Sequence, residues 1–383
     1  MPTFWFVSVP AHGDKHATWH NLRRCIGAND NASDPAEIWS FSLPDFKIGT
    51  LDALVLVSDE LVRQDQVAEA AVMKLVDALK NLSGSDIDVS SQLTVKGKSL
   101  EHYIKSFEWS AAKYRSDRPV REIADRLTED ITNMESATRV KISSWSQTKG
   151  AAQALQRKQG GNLSVRDLAG VVRKENCLLG SEYLRTVFVA VPKNLYKDFL
   201  ASYETITPMV VPRSAEKVAE DAEYGLFGVT IFQRALADFT SRCREERFTV
   251  RDFVWDEEQM EKDRAALVET ASARETMQLQ LTEWVKASFG DAFTAWIHLK
   301  ALRVYVESVL RYGLPADFCC ATIMPKPKFE SKTLLKLDKN YANLGRQFAE
   351  VQSSAEDEVI GAIPEDEYKP YVWFEIRWGA DSR

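Results

Sequence analysis

The sequence contains little cysteine and little histidine. Each of these residue types occurs five times in 383 positions, and no two cysteines have the CxxC spacing that is typical of zinc sites and thiol redox sites. An odd number of cysteines without this spacing fits a reducing compartment better than a disulfide-stabilised secreted protein. The sequence therefore predicts neither a disulfide framework nor a cysteine-based metal site.

Long apolar runs and an excess of positive charge are also missing. No apolar run approaches the roughly 18 residues of a membrane-spanning helix, and no basic leader precedes the first apolar run. The formal net charge of -7 argues against nonspecific binding to nucleic acid. We expect a soluble, cytoplasmic protein that binds no nucleic acid and does not insert directly into a membrane.

The motifs of common catalytic sites are absent. We find no HExxH, GxSxG, GxGxxG or Walker pattern. Residues 97–99, Gly-Lys-Ser, resemble the end of a phosphate-binding loop, but such a loop needs a glycine five positions earlier, where Gln92 stands. The sequence predicts no catalytic residue and no cofactor, while an enzyme with an unrecognised nucleotide site stays open as an alternative.

Three of the histidines follow one another at intervals of four residues. His12, His16 and His20 would lie on one face of a helix, an arrangement that can bind zinc. However, Pro10 and Gly13 make the first turn of such a helix doubtful, and no further histidine or cysteine lies nearby. We predict no metal site here.

The rest of the chain is organised around residues 296–315, WIHLKALRVYVESVLRYGLP. At about 100° per residue, its charged side chains fall in one narrow stripe and the others are mostly apolar. Such a helix is surrounded by core and contacts solvent or a partner only along the stripe. Gly313 and Pro315 end it. This charged stripe, which is either a solvated face or a partner-binding surface, consists of Lys300, Arg303, Glu307 and Arg311.

Two further polar features have competing interpretations. His298 lies in the apolar arc of the same helix, where a buried histidine that bonds a hydroxyl or carbonyl group is expected rather than a catalytic one. Glu220, Asp221 and Glu223 come together before a predicted strand. This acidic cluster forms either a solvated turn or a site for a cation or a basic partner.

The domain organisation follows from two long helical seams, in residues 119–159 and 256–288, which we expect to pack antiparallel as a neck. The block between them, residues 160–255, predicts a head domain with strands at 185–191, 206–211, 223–232 and 248–255. Helices at 193–203 and 234–246 give it the βαββαβ order of a ferredoxin-like arrangement. Residues 1–118 and 289–383 form a discontinuous foot. The fold class is therefore α+β, an elongated dumbbell.

Segments along nearly the whole chain resemble the C subunit of the vacuolar-type proton-pumping ATPase (V-ATPase). The longest is AFTAWIHLKALRVYVESVLRYGLP, in residues 292–315. The others, in chain order, are FWFVSVP, LPDFKIGTLDALV, LSVRDLAGVV, VFVAVPKNL, YETITPMVVPRSA, EDAEYGLFGVTIF and FTVRDF. The chain departs from the family mainly at residues 29–35 and in an acidic stretch at residues 355–367.

The resemblance implies a non-catalytic stator subunit of the peripheral V1 sector. Such a subunit bridges the peripheral stalks, built from the E and G subunits, to the cytosolic N-terminal domain of the a subunit. It controls reversible assembly of V1 with Vo, supports ATP-driven proton transport, and lies on the cytosolic face of vacuolar and other internal membranes. An actin-binding adaptor, an activity also attributed to family members, is the alternative partner assignment. The candidate partner-binding residues are those of the charged stripe and the acidic cluster.

Overall fold

A computed structural model of the chain describes residues 2–28, 34–83, 92–354 and 369–378. The chain divides into two compact units, unit 1 (Met1–Ile142 with Gln280–Arg383) and unit 2 (Ser143–Leu279). Each unit combines helices with a four-stranded sheet. The predicted α+β class is confirmed, while the division into foot, neck and head stays a prediction. The acidic stretch at residues 355–367 lies outside the described residues.

The elements up to the first long helix of the predicted neck are β1 (Phe4–Pro10), α1 (Lys15–Ile26), β2 (Ala36–Phe41), α2 (Leu51–Ser83), β3 (Thr94–Val95), β4 (Lys98–Ser99), α3 (Leu100–Lys105) and α4 (Val120–Gln159). Those of the following block are β5 (Leu184–Pro192), α5 (Tyr196–Ile206), β6 (Glu216–Glu220), β7 (Tyr224–Phe232), α6 (Leu236–Glu245) and β8 (Thr249–Arg251). The chain then continues through α7 (Glu257–Tyr312), β9 (Phe318–Pro325), α8 (Glu330–Ser354) and β10 (Val372–Ile376).

The sheet of unit 1 is built from both ends of the sequence. Its strands lie in the order β10-β1-β9-β2, and all neighbours are antiparallel. On one face of this sheet, α1 and α8 contribute Leu22, Ile26 and Leu337 to a core that includes Trp5 and Ile323. Burial of this apolar surface holds the C-terminal segment against the N-terminal strand.

The C-terminal part of α7 is the predicted central helix. It ends at Tyr312, and Gly313 has the left-handed φ of 80° while its N–H donates to the carbonyl of Val309 at 2.9 Å. The helical seam predicted at 256–288 and the central stretch predicted at 296–315 belong to one helix of 56 residues, which ends at Tyr312. Gly290 lets strand β3 approach this helix closely, because a Cβ there would lie 3.0 Å from the carbonyl oxygen of Thr94.

Three helices of unit 1 have directions that follow from their polar contacts. Between α2 and α4, Gln64 bonds Asp125 and Lys74 bonds Glu135, pairs that are both 61 positions apart, so these helices run parallel. Between α4 and α7, the indole Nε1 of Trp284 donates to the hydroxyl of Thr138 at 3.3 Å. Between α2 and α7, Ser58 bonds Glu307 and Asp65 pairs with Lys300, so residue numbers rise along α2 where they fall along α7. Within unit 1, helix α7 is therefore antiparallel to α2 and to α4.

Unit 2 has the ferredoxin-like topology that the sequence predicts. Its order is βαββαβ, and the strands lie as β6-β7-β5-β8 with antiparallel neighbours. The second half repeats the first after a shift of 40 positions, from Leu184 to Tyr224 at the start of the strands. Phe199 and Phe239 are equivalent in this repeat, and both are buried in the same core. The predicted fold of the block is confirmed.

One strand of unit 2 was predicted in the wrong place. The pattern indicated a strand at residues 206–211, but the described structure has only one bridge there, between Val210 and Ile231, and the second strand is β6. Pro208 and Pro212 flank that bridge. Because proline cannot donate a ladder hydrogen bond, the segment does not extend into a strand.

Candidate functional site

The charged stripe of α7 is held by the chain itself. Lys300 Nζ lies 2.8 Å from Asp65 Oδ2, and Arg303 Nη1 lies 2.9 Å from the same oxygen. The other carboxylate oxygen, Oδ1, accepts a hydrogen bond from Trp296 Nε1 at 3.0 Å. Asp65 is 3% exposed and Lys300 is 5% exposed. This part of the stripe is therefore a buried ionic cluster between α2 and α7, and the expectation of a solvated face is wrong for Lys300.

Asp65 is the residue that the sequence reasoning missed. It lies on α2 between Leu61 and Ala68, both of which are fully buried. The positions 61, 65, 68 and 72 share one face of a helix. A carboxylate at such a position must be paired when buried, so an acid that falls in an apolar seam was the signal for a cationic partner on a neighbouring helix.

The C-terminal half of the stripe joins α7 to other parts of unit 1. Glu307 accepts a hydrogen bond from Ser58 of α2. Arg311 Nη1 donates to the carbonyl oxygens of Lys369 at 2.7 Å and Tyr371 at 3.1 Å, just before β10. Glu307 and Arg311, four positions apart on α7, form an ion pair at 3.9 Å. All four stripe residues thus have partners within the chain, and binding of another protein by them stays a prediction.

The acidic cluster orders a turn of unit 2. Asp221 accepts backbone hydrogen bonds from Tyr224 at 2.6 Å, Leu163 at 2.6 Å and Glu223 at 2.7 Å. Although burial opposes ionisation, these N–H groups hold the pKa of the Asp221 carboxyl below its usual range. Glu220 pairs with Lys193 at 3.0 Å. Asp221 therefore closes the β6–β7 turn and fixes the segment that begins at Leu163.

That segment covers the sheet face opposite α5 and α6. Its residues Leu163, Leu168 and Val172 are buried against Phe188 and Leu226 of the sheet. Arg251 fixes the segment as well as Asp221. Its guanidinium group donates to the backbone carbonyl oxygens of Leu163 at 3.5 Å, Val165 at 3.2 Å and Arg166 at 2.7 Å.

His298 is a structural histidine, as predicted. Its Nδ1 lies 2.7 Å from the carbonyl oxygen of Thr294, and its Nε2 accepts a hydrogen bond from the backbone N–H of Ser110 at 3.0 Å. Because the carbonyl can only accept, Nδ1 carries the proton and the ring is neutral. Burial lowers the pKa of His298 to about 4. The rings of Phe107, Trp109 and Tyr114 surround it, so it fixes the loop after α3 to the central helix.

The three spaced histidines do not share a helical face. His12 precedes α1 with a φ of 49°, whereas His16 and His20 lie within α1. Among the described residues, no group of three or more His, Cys, Asp or Glu residues is arranged to hold a metal ion. His16 and His20 instead line a cleft of about 640 Å³ together with Tyr305 and Cys319. Burial raises the pKa of the Cys319 thiol, which makes it a poor nucleophile.

Comparison with known proteins matches residues 4–372 to the family described as the C subunit of V-ATPase. The V-type proton ATPase C 1 subunit of Xenopus laevis is 38% identical over 377 residues, covering 98% of each chain. The corresponding protein of Mus musculus is 36% identical over the same length and coverage. The chain belongs to the V-ATPase C-subunit family.

A solved structure of the cytoplasmic N-terminal domain of the I subunit, a homologue of the a subunit of V-ATPase, also aligns with this chain. The sequence identity is 12% and the TM-score is 0.24, with coverage of 90% of this chain and 98% of that one. No conclusion about fold or function follows from a similarity of this size.

The C subunit is a non-catalytic part of the proton pump, and the polar clusters of this member act structurally. The stripe joins α7 to α2 and to the segment before β10, Asp221 closes a turn, and His298 anchors a loop. Ser99, of the Gly-Lys-Ser sequence, is the N-cap of α3 and accepts from the N–H of His102 at 3.3 Å. In the part of the chain that the structure describes, no helix is both long and apolar enough to cross a bilayer.

Proposed function

We propose that this member of the family is a stator component that bridges the peripheral stalks of E and G subunits to the cytosolic N-terminal domain of the a subunit. In this role it acts in the cytosol and on the cytosolic face of internal membranes, where its attachment controls reversible assembly of V1 with Vo. The observation that carries the proposal is membership of the C-subunit family over 98% of the chain.

The two compact units support a bridging role. Each has its own sheet and its own buried core, so each can present a binding surface without depending on the other. When two weak contacts are made by one chain, the second becomes intramolecular and avidity exceeds either affinity by about 10² to 10⁴. Loss of one contact then releases the whole protein, which makes assembly reversible.

The predicted partner-binding residues are not equally available for contacts. Glu220 and Glu223 are exposed at the β6–β7 turn, whereas Lys300 is buried against Asp65. We therefore propose Glu220 and Glu223 as the first candidates for a contact of unit 2. A basic partner surface would complement Glu223 and would compete with Lys193 for Glu220.

Co-purification tests the proposal directly. A tagged full chain, expressed in cells that lack their own C subunit, should co-purify with the E, G and a subunits and restore ATP-driven proton transport in isolated membranes. Restored transport without any association with these three partners would contradict the bridging role. Hydrolysis of ATP by the purified chain, or sedimentation with actin filaments in place of pump association, would support the alternatives of an enzyme or an actin adaptor.

A further inference from the structure

Helices α1 and α8 form a layer over one face of the unit 1 sheet. They contact each other and share a core with the sheet strands. Their contact includes Lys336, whose Nζ donates to the carbonyl oxygen of Ile26 at 3.1 Å, at the end of α1. The outer sides of the two helices therefore belong to one continuous surface, which we call the α1–α8 face.

The α1–α8 face is strongly basic although the whole chain is acidic. Helix α1, KHATWHNLRRCI, contains no carboxylate. The chain as a whole has a formal net charge of -7. The exposed cations of the face are Arg24 of α1, Lys328 just before α8, and Lys332 and Lys339 of α8.

The two carboxylates in the first half of α8 do not neutralise these cations. Glu330 lies 3.6 Å from Arg377, and Asp338 lies 2.8 Å from Lys369, so both are paired with the C-terminal segment. Within the described residues, none of these four exposed cations forms an ion pair with a carboxylate. Their charge is therefore directed to solvent or to a partner.

Apolar side chains are exposed among the cations. Leu335 is 58% exposed and Phe329 is 38% exposed. Lys332, Leu335 and Lys339 follow one another at spacings of three and four residues, so they line one side of α8. A surface that combines cations with exposed apolar residues is typical of helices that lie on an anionic membrane surface.

We propose that the α1–α8 face binds the headgroup surface of an anionic lipid bilayer. Most of these cations are lysines, which are flexible point charges, and they are spread over two adjacent helices, which suits a broad anionic surface. Acidic peptide motifs are instead recognised by clusters of arginine. The acidic remainder of the chain is repelled by the same surface, so binding orients the protein with this face towards the lipid. Attachment to the membrane is peripheral, because only side chains enter the headgroup layer.

Vesicle sedimentation with the purified full chain tests this proposal. The chain should sediment with vesicles of phosphatidylserine and phosphatidylcholine but not with phosphatidylcholine alone, and added salt should release it. The combined variant Arg24→Gln, Lys332→Gln and Lys339→Gln should bind on the order of 100-fold more weakly, since each cation contributes about fivefold near such a surface. The control Lys197→Gln, Arg234→Gln and Arg244→Gln removes three exposed cations of unit 2 and should bind normally.

The outcomes separate the bilayer from other partners. Equal weakening in the two triple variants, or binding that does not depend on phosphatidylserine, would overturn the proposal. A third result would also overturn it: the original chain fails to bind vesicles, while the face variant folds normally by circular dichroism but loses pump assembly. The α1–α8 face would then bind an acidic protein. Because the vesicle assay contains no other part of the pump, its result is independent of the proposed stator role.

Discussion

The buried carboxylate of Asp65 shows how one residue can join two helices. It accepts from Trp296, Lys300 and Arg303, all on α7, while lying in the apolar seam of α2. A buried ion group of this kind is stable only while its charges are matched, because an unpaired charge in the core loses its hydration without compensation. Charge reversal at Arg303 would place a second carboxylate beside Asp65, and so would test folding as well as docking.

Asp65→Asn should lower the free energy of unfolding by about 3 to 5 kcal/mol. The change removes the charge that compensates Lys300 and Arg303, and it leaves a buried ammonium group without a counter-ion. Urea unfolding followed by circular dichroism measures the effect. Asp125→Asn on α4 is the matched control, since Asp125 is exposed and makes one hydrogen bond to Gln64. Equal stability changes in the two variants would contradict the structural role of Asp65.

The stability of unit 1 should depend on pH through His298. Its pKa is lowered to about 4 by burial, whereas an unfolded histidine titrates near about 6.5. The unfolded chain therefore binds a proton first as pH falls, so this contribution to stability is complete above about pH 6.5 and is lost progressively towards about pH 4. The loss should reach about 3 kcal/mol.

Urea unfolding at several pH values between these limits measures the His298 contribution. His298→Gln should be less stable at neutral pH, but its stability should fall less steeply with acidity because the side chain does not titrate. The exposed His102 provides the control, and His102→Gln should keep the steep dependence. An unchanged slope in His298→Gln would assign the acid sensitivity to other groups.

Burial of the apolar side chains decreases towards the C-terminal end of α7. Trp296, Leu299 and Val306 are fully buried, whereas Leu310 is only partly buried. Leu310 lies close to the end of the helix. Its truncation is therefore expected to cost less than truncation at the other three positions.

Leu299→Ala should destabilise the protein by about 2 to 5 kcal/mol, because it removes a fully buried side chain and leaves a cavity. Leu279→Ala, on the same helix, should change stability by no more than about 0.5 kcal/mol, since Leu279 is 70% exposed. Thermal unfolding followed by circular dichroism measures both. Comparable losses of stability in the two variants would contradict the difference in burial between Leu299 and Leu279.

Strand β7 contains two glycines with different surroundings. A Cβ at Gly225 would lie 2.1 Å from the hydroxyl oxygen of Tyr196, whereas a Cβ at Gly228 would lie 3.5 Å from the ring of Phe188. Gly225→Ala should therefore displace the Tyr196 ring and cost about 1 to 3 kcal/mol. Gly228→Ala makes only ordinary contacts and should be nearly neutral. Denaturant unfolding compares the two, and a larger loss at Gly228 would contradict this packing.

At the scale of the whole molecule, the two units allow fragments to be tested. Residues 160–255 contain both core clusters of unit 2, from Leu163 to Trp255. This fragment should fold alone and unfold in one cooperative transition, which calorimetry would show. If this part of the chain binds a peripheral stalk, the fragment should also bind a pair of E and G subunits with measurable affinity. A fragment that lacks a cooperative transition would place part of its core outside these residues.

The bridging role makes a further demand on these fragments. A mixture of the 160–255 fragment with a chain in which a short linker replaces it should not restore proton transport, because two unlinked contacts lose the advantage of effective concentration. The intact chain is the positive control in the same reconstituted pump. Full transport from the unlinked mixture would contradict bridging.

Local features of the sequence predicted much of this fold. The period of the apolar residues predicted the buried central helix, and Gly313 predicted its end, because helical period and termination depend on residues within a few positions. The alternation of strand and helix patterns predicted the ferredoxin-like unit. His298 was predicted to be buried and bonded, since it lies in an apolar arc where an uncompensated polar group is unfavourable.

Only the tertiary structure decided which distant groups meet. The stripe of α7 predicted a charged face, but its partner Asp65 lies 235 positions before Lys300, and the period of one helix does not specify the helix that packs against it. Strand β6 was likewise decided by pairing with β7, since its sequence EKVAE has little apolar pattern of its own. The role of Asp221 was also decided only by the tertiary structure. It accepts a hydrogen bond from the backbone N–H of Leu163, and the sequence does not indicate which backbone group an aspartate will bond.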